Sequence, residues 1–222
     1  MTDRLATTLS TWSRVHGVLM LGGMFAASLG LPLAAIGTGA VASFVLLTWR
    51  TRGHWTPTTR FGSANAVSMT RLALAAMILS DPAPPAWFLA ALAGAALLLD
   101  GLDGWLARRF RLSSRYGDLL DKEVDAFLTA ALCLVLYRST DLNASILIPA
   151  ALRYLYVLRH EFAAQPIAPQ PATRFGRMAG AIALGSLVVC LLPIGAWRAW
   201  LGGLATALVL TSFARSLWQE YR

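Results

Sequence analysis

Residues 15–49 contain no Asp, Glu, Lys or Arg, and that stretch limits the fold more than any other feature of the chain. A helix that crosses the bilayer core takes about 20 mostly apolar residues, so the run holds two short crossings. Gly30, Pro32 and their small neighbours supply the turn between them. Further apolar runs cover 64–80, 86–107, 117–137, 145–158, 176–192 and 200–217. Breakers separate them at 81–85, 138–143, the Pro- and Gln-rich 165–171, and 193–195. The expected fold is all-α: a polytopic membrane bundle with a two-helix N-terminal hairpin in residues 1–60 and a six-helix core in 61–222.

Composition agrees. Of 222 residues, 57% are hydrophobic and 14% charged, and the mean hydropathy is positive. A soluble domain carries charge at about a quarter of its positions, so this chain cannot cover a water-facing surface. It is equally unlike a disordered chain, which needs low hydrophobicity and high charge. The two cysteines, Cys133 and Cys190, lie inside apolar runs. That excludes a disulfide scaffold and a Cys-based zinc site. The first apolar run follows Arg14 and contains Ala26-Ala27-Ser28, as a signal peptide would. The long polar lead with Asp3 fits an uncleaved anchor better.

The net charge of +8 is expected from topology rather than nucleic acid. A nucleic-acid face would gather Lys and Arg on one soluble surface, whereas here they sit between apolar runs. With the N-terminus inside, most arginines and Lys122 fall on the cytoplasmic side, and Arg138 and Arg198 fall outside. That is the positive-inside pattern for an even number of helices with both termini in the cytoplasm. The expected location is a bacterial inner membrane, with added attraction to anionic lipid headgroups.

Six of the eleven acidic residues lie between positions 100 and 125. Ionisable groups at membrane depth are costly and mark functional cavities. Asp100 and Asp103 are three apart, and Asp121 and Asp125 four apart, so each pair shares one helical face. A short basic loop joins the two helices as antiparallel neighbours, which lets the faces converge. Four carboxylates so placed repel one another unless a cation sits among them. Oxygen ligands without nearby His or Cys favour Mg²⁺ or Mn²⁺, with Ca²⁺ a weaker fit. Asp118 and Glu123 fall off that face and read as solvated or supporting groups.

The full string runs Asp100, Asp103, Gly104, Ala107, Arg108, eight residues, Gly117, Asp121 and Asp125. It matches every fixed position of D-x2-D-G-x2-A-R-x8-G-x3-D-x3-D, the signature of the CDP-alcohol phosphotransferase family, which the chain resembles over roughly 61–217. Upstream, Asn65, Ser68 and Arg71 stand where relatives often show Asn, Thr and Arg, and the Ser is a departure. The resemblance implies an enzyme that cleaves the pyrophosphate of a CDP-linked substrate, releases CMP and joins the phosphoryl group to an alcohol. It implies Asp100, Asp103, Asp121 and Asp125 as ligands of two Mg²⁺ or Mn²⁺ ions, with Asp125 also the general base. It places Gly104, Ala107, Arg108, Ser68 and Arg71 around the nucleotide and its phosphates. Relatives are often homodimers, and nothing in this sequence fixes a dimer face.

Arg153 lies inside the fourth core helix, where a guanidinium needs a partner or a cavity. With Arg174 and Arg177 it is a candidate for binding an anionic acceptor. Snorkelling to the headgroups is the other reading, most natural for Arg174 and Arg177. His160 and Glu161 read as a polar interfacial pair, and His16 shows no partner pattern. Trp49, Trp55, Trp87, Trp197, Trp200 and Trp218 near helix ends read as interfacial belts.

The leading expectation is a phosphatidyltransferase that moves the phosphatidyl group of CDP-diacylglycerol to a polar hydroxyl acceptor. Arg153 leans it toward a phosphorylated acceptor such as glycerol 3-phosphate or an inositol phosphate. Within the family the alternative is a CDP-amino-alcohol donating to diacylglycerol. Outside it, a cation-coupled transporter would use the carboxylates as its ion site, but inverted repeats and broken helices are not evident. A structural metal site would rarely stand open to a lipid-side cavity, and a non-catalytic partner that kept the fold would have no need of the complete set of motif aspartates.

Overall fold

A computed structural model of the chain describes residues 2–80, 84–162 and 174–220, and eight α-helices make up nearly all of it. The hairpin is α1 (Thr2–Ser28) and α2 (Leu33–Arg50). The core follows as α3 (Ser63–Ile78), α4 (Ala86–Arg109), α5 (Arg115–Ser139), α6 (Ile148–Phe162), α7 (Arg174–Cys190) and α8 (Trp197–Glu220). A single 3-10 turn, Ala144–Leu147, leads into α6. The 165–171 breaker lies outside the described residues. Helix starts use expected devices: Pro32 and Pro85 precede α2 and α4, and the Ser114 hydroxyl caps α5 by accepting from the Gly117 amide at 3.0 Å. Gly30, at φ +101°, makes the left-handed turn between α1 and α2.

Helix α5 is the axis of the bundle. From Ala126 to Leu136 every side chain but Thr129 is buried, the pattern of a helix with packing partners on all sides. Helix α3 packs against α4 and α5, α7 against α8, and α6 bridges α5 and α8. The hairpin is part of the same packing, with α1 along α6 and α2 against α3 and α5. Its contacts are specific: the Trp12 indole donates to the Ser43 carbonyl at 2.9 Å, and Arg14 lies 3.5 Å from Glu161. Ser10 also donates to Glu161. Glu161 is therefore engaged by α1, and the neighbouring His160 ring lies against Tyr156.

Among the described residues, three helices are long and apolar enough to cross a membrane: Leu33–Arg50, Ala86–Arg109 and Trp197–Gln219, with Phe175–Cys190 a shorter apolar helix. The outer surface is apolar, with Val15, Phe25, Trp49, Trp87, Leu98, Trp197 and Trp200 all well exposed. This is a helical membrane bundle. One expectation is corrected. Helix α1 starts at Thr2, not near Val15, because Leu9 and Trp12 continue the buried stripe of Met20 and Met24 toward the N-terminus. Trp55, near the end of α2, is anchored by the protein: its indole donates to the Thr48 carbonyl at 2.9 Å, and its ring meets Phe61 edge-on.

The two arginines at the loop end opposite the other basic residues both close helix ends. Arg138 donates to the Ala27 carbonyl at 2.8 Å, at the end of α1. Arg198 donates to the Cys190 and Leu192 carbonyls, each at 2.9 Å, at the end of α7. Each adds a charged donor to carbonyls at a helix C-terminus, where Ala27 and Leu192 also accept a turn amide, and sits at the negative end of the dipole.

Candidate active site

Three helices bring one charged group of atoms together. Helix α4 contributes Asp100 and Asp103, α5 contributes Asp121 and Asp125, and α3 sends Arg71 between them. The Arg71 side chain is fully buried. Its Nη1 donates to Asp103 Oδ2 and Asp121 Oδ1, each at 2.8 Å. Its Nη2 lies 2.7 Å from Asp100 Oδ1 and donates to Asp125 Oδ1. Arg71, expected among the nucleotide-binding residues, is the shared counter-cation of all four aspartates in this structure. A planar guanidinium suits this task because its fork offers five donors in fixed directions.

One guanidinium does not balance four carboxylates. Asp103 is buried, while Asp100, Asp121 and Asp125 keep 47%, 44% and 44% of their side-chain surface exposed, so the excess negative charge faces open space. One oxygen each from Asp100, Asp103 and Asp121 lie within 4.8 Å of one another. Three hard oxygen donors at that spacing fit a divalent cation such as Mg²⁺ or Mn²⁺. Asp125 stands beside this triad and reaches it through Arg71.

The neighbours fix the geometry. Ser68, one turn before Arg71, donates to Asp103 Oδ2 at 3.2 Å. Asp103 Oδ1 accepts the Gly104 amide at 2.7 Å. Asn65 donates to the Phe61 carbonyl at 2.6 Å and the Trp55 carbonyl at 3.1 Å, and Ser114 donates to that Trp55 carbonyl at 2.7 Å. The loop between hairpin and core is thereby tied to the start of α5. Gly117 is needed for this approach, since a Cβ there would stand 3.1 Å from Asn65 Oδ1 and 3.3 Å from Ser114 Oγ. At Gly104 a Cβ would lie 3.3 Å from Arg108 Nη1, so Arg108 folds back over the glycine.

Two cavities flank the aspartates. The first, about 210 Å³, is lined by Ser68, Gly104, Ala107, Arg108, Asp103 and Asp121 among others. The second, about 600 Å³, holds Asp100, Asp125, Thr129, Arg153 and Arg177 against apolar walls from α4, α7 and α8. The cluster therefore forms a partition, with two carboxylates facing each side. The expected nucleotide residues gather in the first cavity except Arg71, and Arg153 and Arg177 line the second. Arg174 opens α7, but its side chain is outside the described residues. Glu123, expected to be solvated or supporting, is buried, with Oε1 3.8 Å from Arg153 Nη2. The signal for that pair was present, since an arginine at membrane depth needs an acid, but 30 residues of chain separate the two.

A family model, CDP-alcohol phosphatidyltransferase, matches residues 61–213, which takes in both cavities and the whole partition. No curated protein and no solved structure matches the chain.

Proposed function

From the premise that this chain belongs to the CDP-alcohol phosphatidyltransferase family, we propose that it moves the phosphatidyl group of CDP-diacylglycerol to a polar alcohol and releases CMP. The observation that carries this reading is the partition: four carboxylates with a cavity on either side. A transfer between two substrates needs both to reach one set of charges from different directions. The first cavity, small and polar, takes the cytidine and its phosphates, with Gly104 and Ala107 allowing close approach and Arg108 meeting phosphate oxygen. The second takes the acceptor at its charged end, and its apolar walls suit acyl chains.

Asp100, Asp103 and Asp121, with Asp125, would hold Mg²⁺ or Mn²⁺, and such an ion offsets phosphate charge and orients the pyrophosphate when bound. The chain's own work is then local. Asp125 Oδ1 is engaged by Arg71, which leaves Oδ2 to take the proton of the acceptor hydroxyl. The acceptor oxygen bonds to the phosphorus that carries diacylglycerol, and the bond from that phosphorus to the bridging oxygen breaks, so that CMP leaves with the electron pair. Arg71 keeps Asp125 and Asp103 in register across two helices throughout. In this reading residues 61–222 are the catalytic core, residues 1–60 support it, and the protein lies in a bacterial inner membrane; the excess of basic residues in the loops at one end supports a site and both termini on the cytoplasmic side.

The size and apolar walls of the second cavity also favour a second reading, in which diacylglycerol is the acceptor and a CDP-amino-alcohol the donor. Purified protein given CDP-diacylglycerol with soluble alcohols, or CDP-choline or CDP-ethanolamine with diacylglycerol, separates the two. CMP release in the first mixture alone supports the phosphatidyltransferase; release in the second alone replaces it.

A further inference from the structure

Glu123 is one of two buried carboxylates among the described residues, and the other, Asp103, belongs to the partition. It stands two residues from both Asp121 and Asp125, on the opposite face of α5 at about 100° per residue. Its side chain is 3% exposed and its Oε1 lies 3.8 Å from Arg153 Nη2. At that separation the two attract as ions without a hydrogen bond, so the guanidinium keeps its donors for something else. Arg153 retains 28% of its side-chain surface, and it lines the same cavity as Asp100 and Asp125.

An arginine without a partner at this depth would extend toward the headgroups. The buried acid removes that option. The hairpin closes the other side: Tyr154, next to Arg153, is fully buried and meets the His16 ring of α1 edge-on at 6.1 Å. His16 in turn stacks on Trp12 at 4.6 Å and hydrogen bonds Ser43 of α2 at 3.0 Å. Helix α6 is thus held in rotation by α5 on one side and by α1 on the other.

We propose that Glu123 is a positioning residue for the acceptor. It holds the Arg153 guanidinium at the wall of the second cavity, where the unspent N–H groups receive a phosphomonoester carried by the acceptor alcohol. Paired N–H groups of arginine match phosphate oxygens in the bidentate manner. Arg177, exposed on α7 and lining the same cavity, adds positive charge at its mouth. The proposal rests on the second cavity being the acceptor side.

The test is steady-state CMP release from CDP-diacylglycerol by the purified full chain. Glycerol 3-phosphate and inositol phosphate are compared with glycerol and inositol, in wild type, Glu123→Gln, Glu123→Asp, Arg153→Gln and the Glu123→Gln/Arg153→Gln double variant. Glu123→Gln should raise KM for the phosphorylated acceptor about tenfold, in line with loss of an oriented charged hydrogen bond. Its kcat and its KM for CDP-diacylglycerol should stay within about twofold, as loss of uniform binding requires. Arg153→Gln and the double variant should share one acceptor KM, because Glu123 acts through Arg153. Glu123→Asp keeps the charge and shifts the guanidinium, so its acceptor KM should fall between wild type and Glu123→Gln at an unchanged melting temperature. That variant reads position even where Glu123→Gln does not purify.

An unchanged acceptor KM in Glu123→Asp and Glu123→Gln, or additive effects in the double variant, overturns the positioning role and leaves the acceptor reading standing. A wild type that uses neutral alcohols and ignores phosphorylated ones overturns the phosphomonoester. No acceptor-dependent CMP from wild type overturns the functional reading itself, and this proposal with it.

Discussion

Arg71 on α3 and Asp103 on α4 are joined at 2.8 Å with both side chains buried, and the same guanidinium reaches Asp121 of α5 at 2.8 Å. One side chain thus links the three helices that carry the site. Breaking a buried ion pair by removing one partner costs about 3–5 kcal/mol, and here the partner left behind is a group of repelling carboxylates. Arg71→Ala should lower the melting temperature of metal-free protein sharply. Added Mn²⁺ should then raise it by more than in wild type, because the ion takes over the neutralisation. Arg71→Lys should recover only part of the loss, since an ammonium lacks the fork. Thermal unfolding in detergent with EDTA and with Mn²⁺ measures both effects; equal Mn²⁺ shifts in wild type and Arg71→Ala would contradict them.

Asp100 is half exposed and belongs to the oxygen triad with Asp103 and Asp121. Asp100→Asn should weaken Mn²⁺ binding by tenfold or more, roughly the loss expected on removing a charged ligand. Titration calorimetry or the electron paramagnetic resonance signal of free Mn²⁺ reads this directly. Unchanged affinity would mean that another set of oxygens holds the ion.

Gly117 makes a sharper steric prediction. A methyl group there meets Asn65 Oδ1 at 3.1 Å, and Asn65 is held by two carbonyls, so it cannot simply swing away. Overpacking of this kind costs about 1–3 kcal/mol. Gly117→Ala should raise KM for CDP-diacylglycerol more than KM for the acceptor, because Asn65 and Gly117 line the first cavity and not the second. Equal rises in the two constants would remove the distinction between the cavities.

The helices and the aspartates were legible because each rests on short-range spacing. A crossing of the bilayer needs an uninterrupted apolar run, and carboxylates three or four residues apart must share a helical face. The start of α1 was hidden because summed hydropathy ignores period. Leu9, Trp12, Met20 and Met24 form a buried stripe among Thr, Ser and Arg that read as a polar lead. Arg71 among the aspartates, and Glu123 with Arg153, were out of reach for a different reason. Each joins helices some thirty or more residues apart in the chain, and only the packing of α3 and α6 on α5 decides which charge meets which.

The most direct measurement is CMP release from CDP-diacylglycerol by wild type and Asp125→Asn, with metal present and acceptors supplied one at a time. Wild type should release CMP only when an acceptor is added. Asp125→Asn should lose about 10²–10⁴-fold in kcat, the usual contribution of a general base, while still binding Mn²⁺ and CDP-diacylglycerol. Full turnover by Asp125→Asn, or CMP release by wild type that ignores the acceptor, would contradict transfer across the aspartate partition.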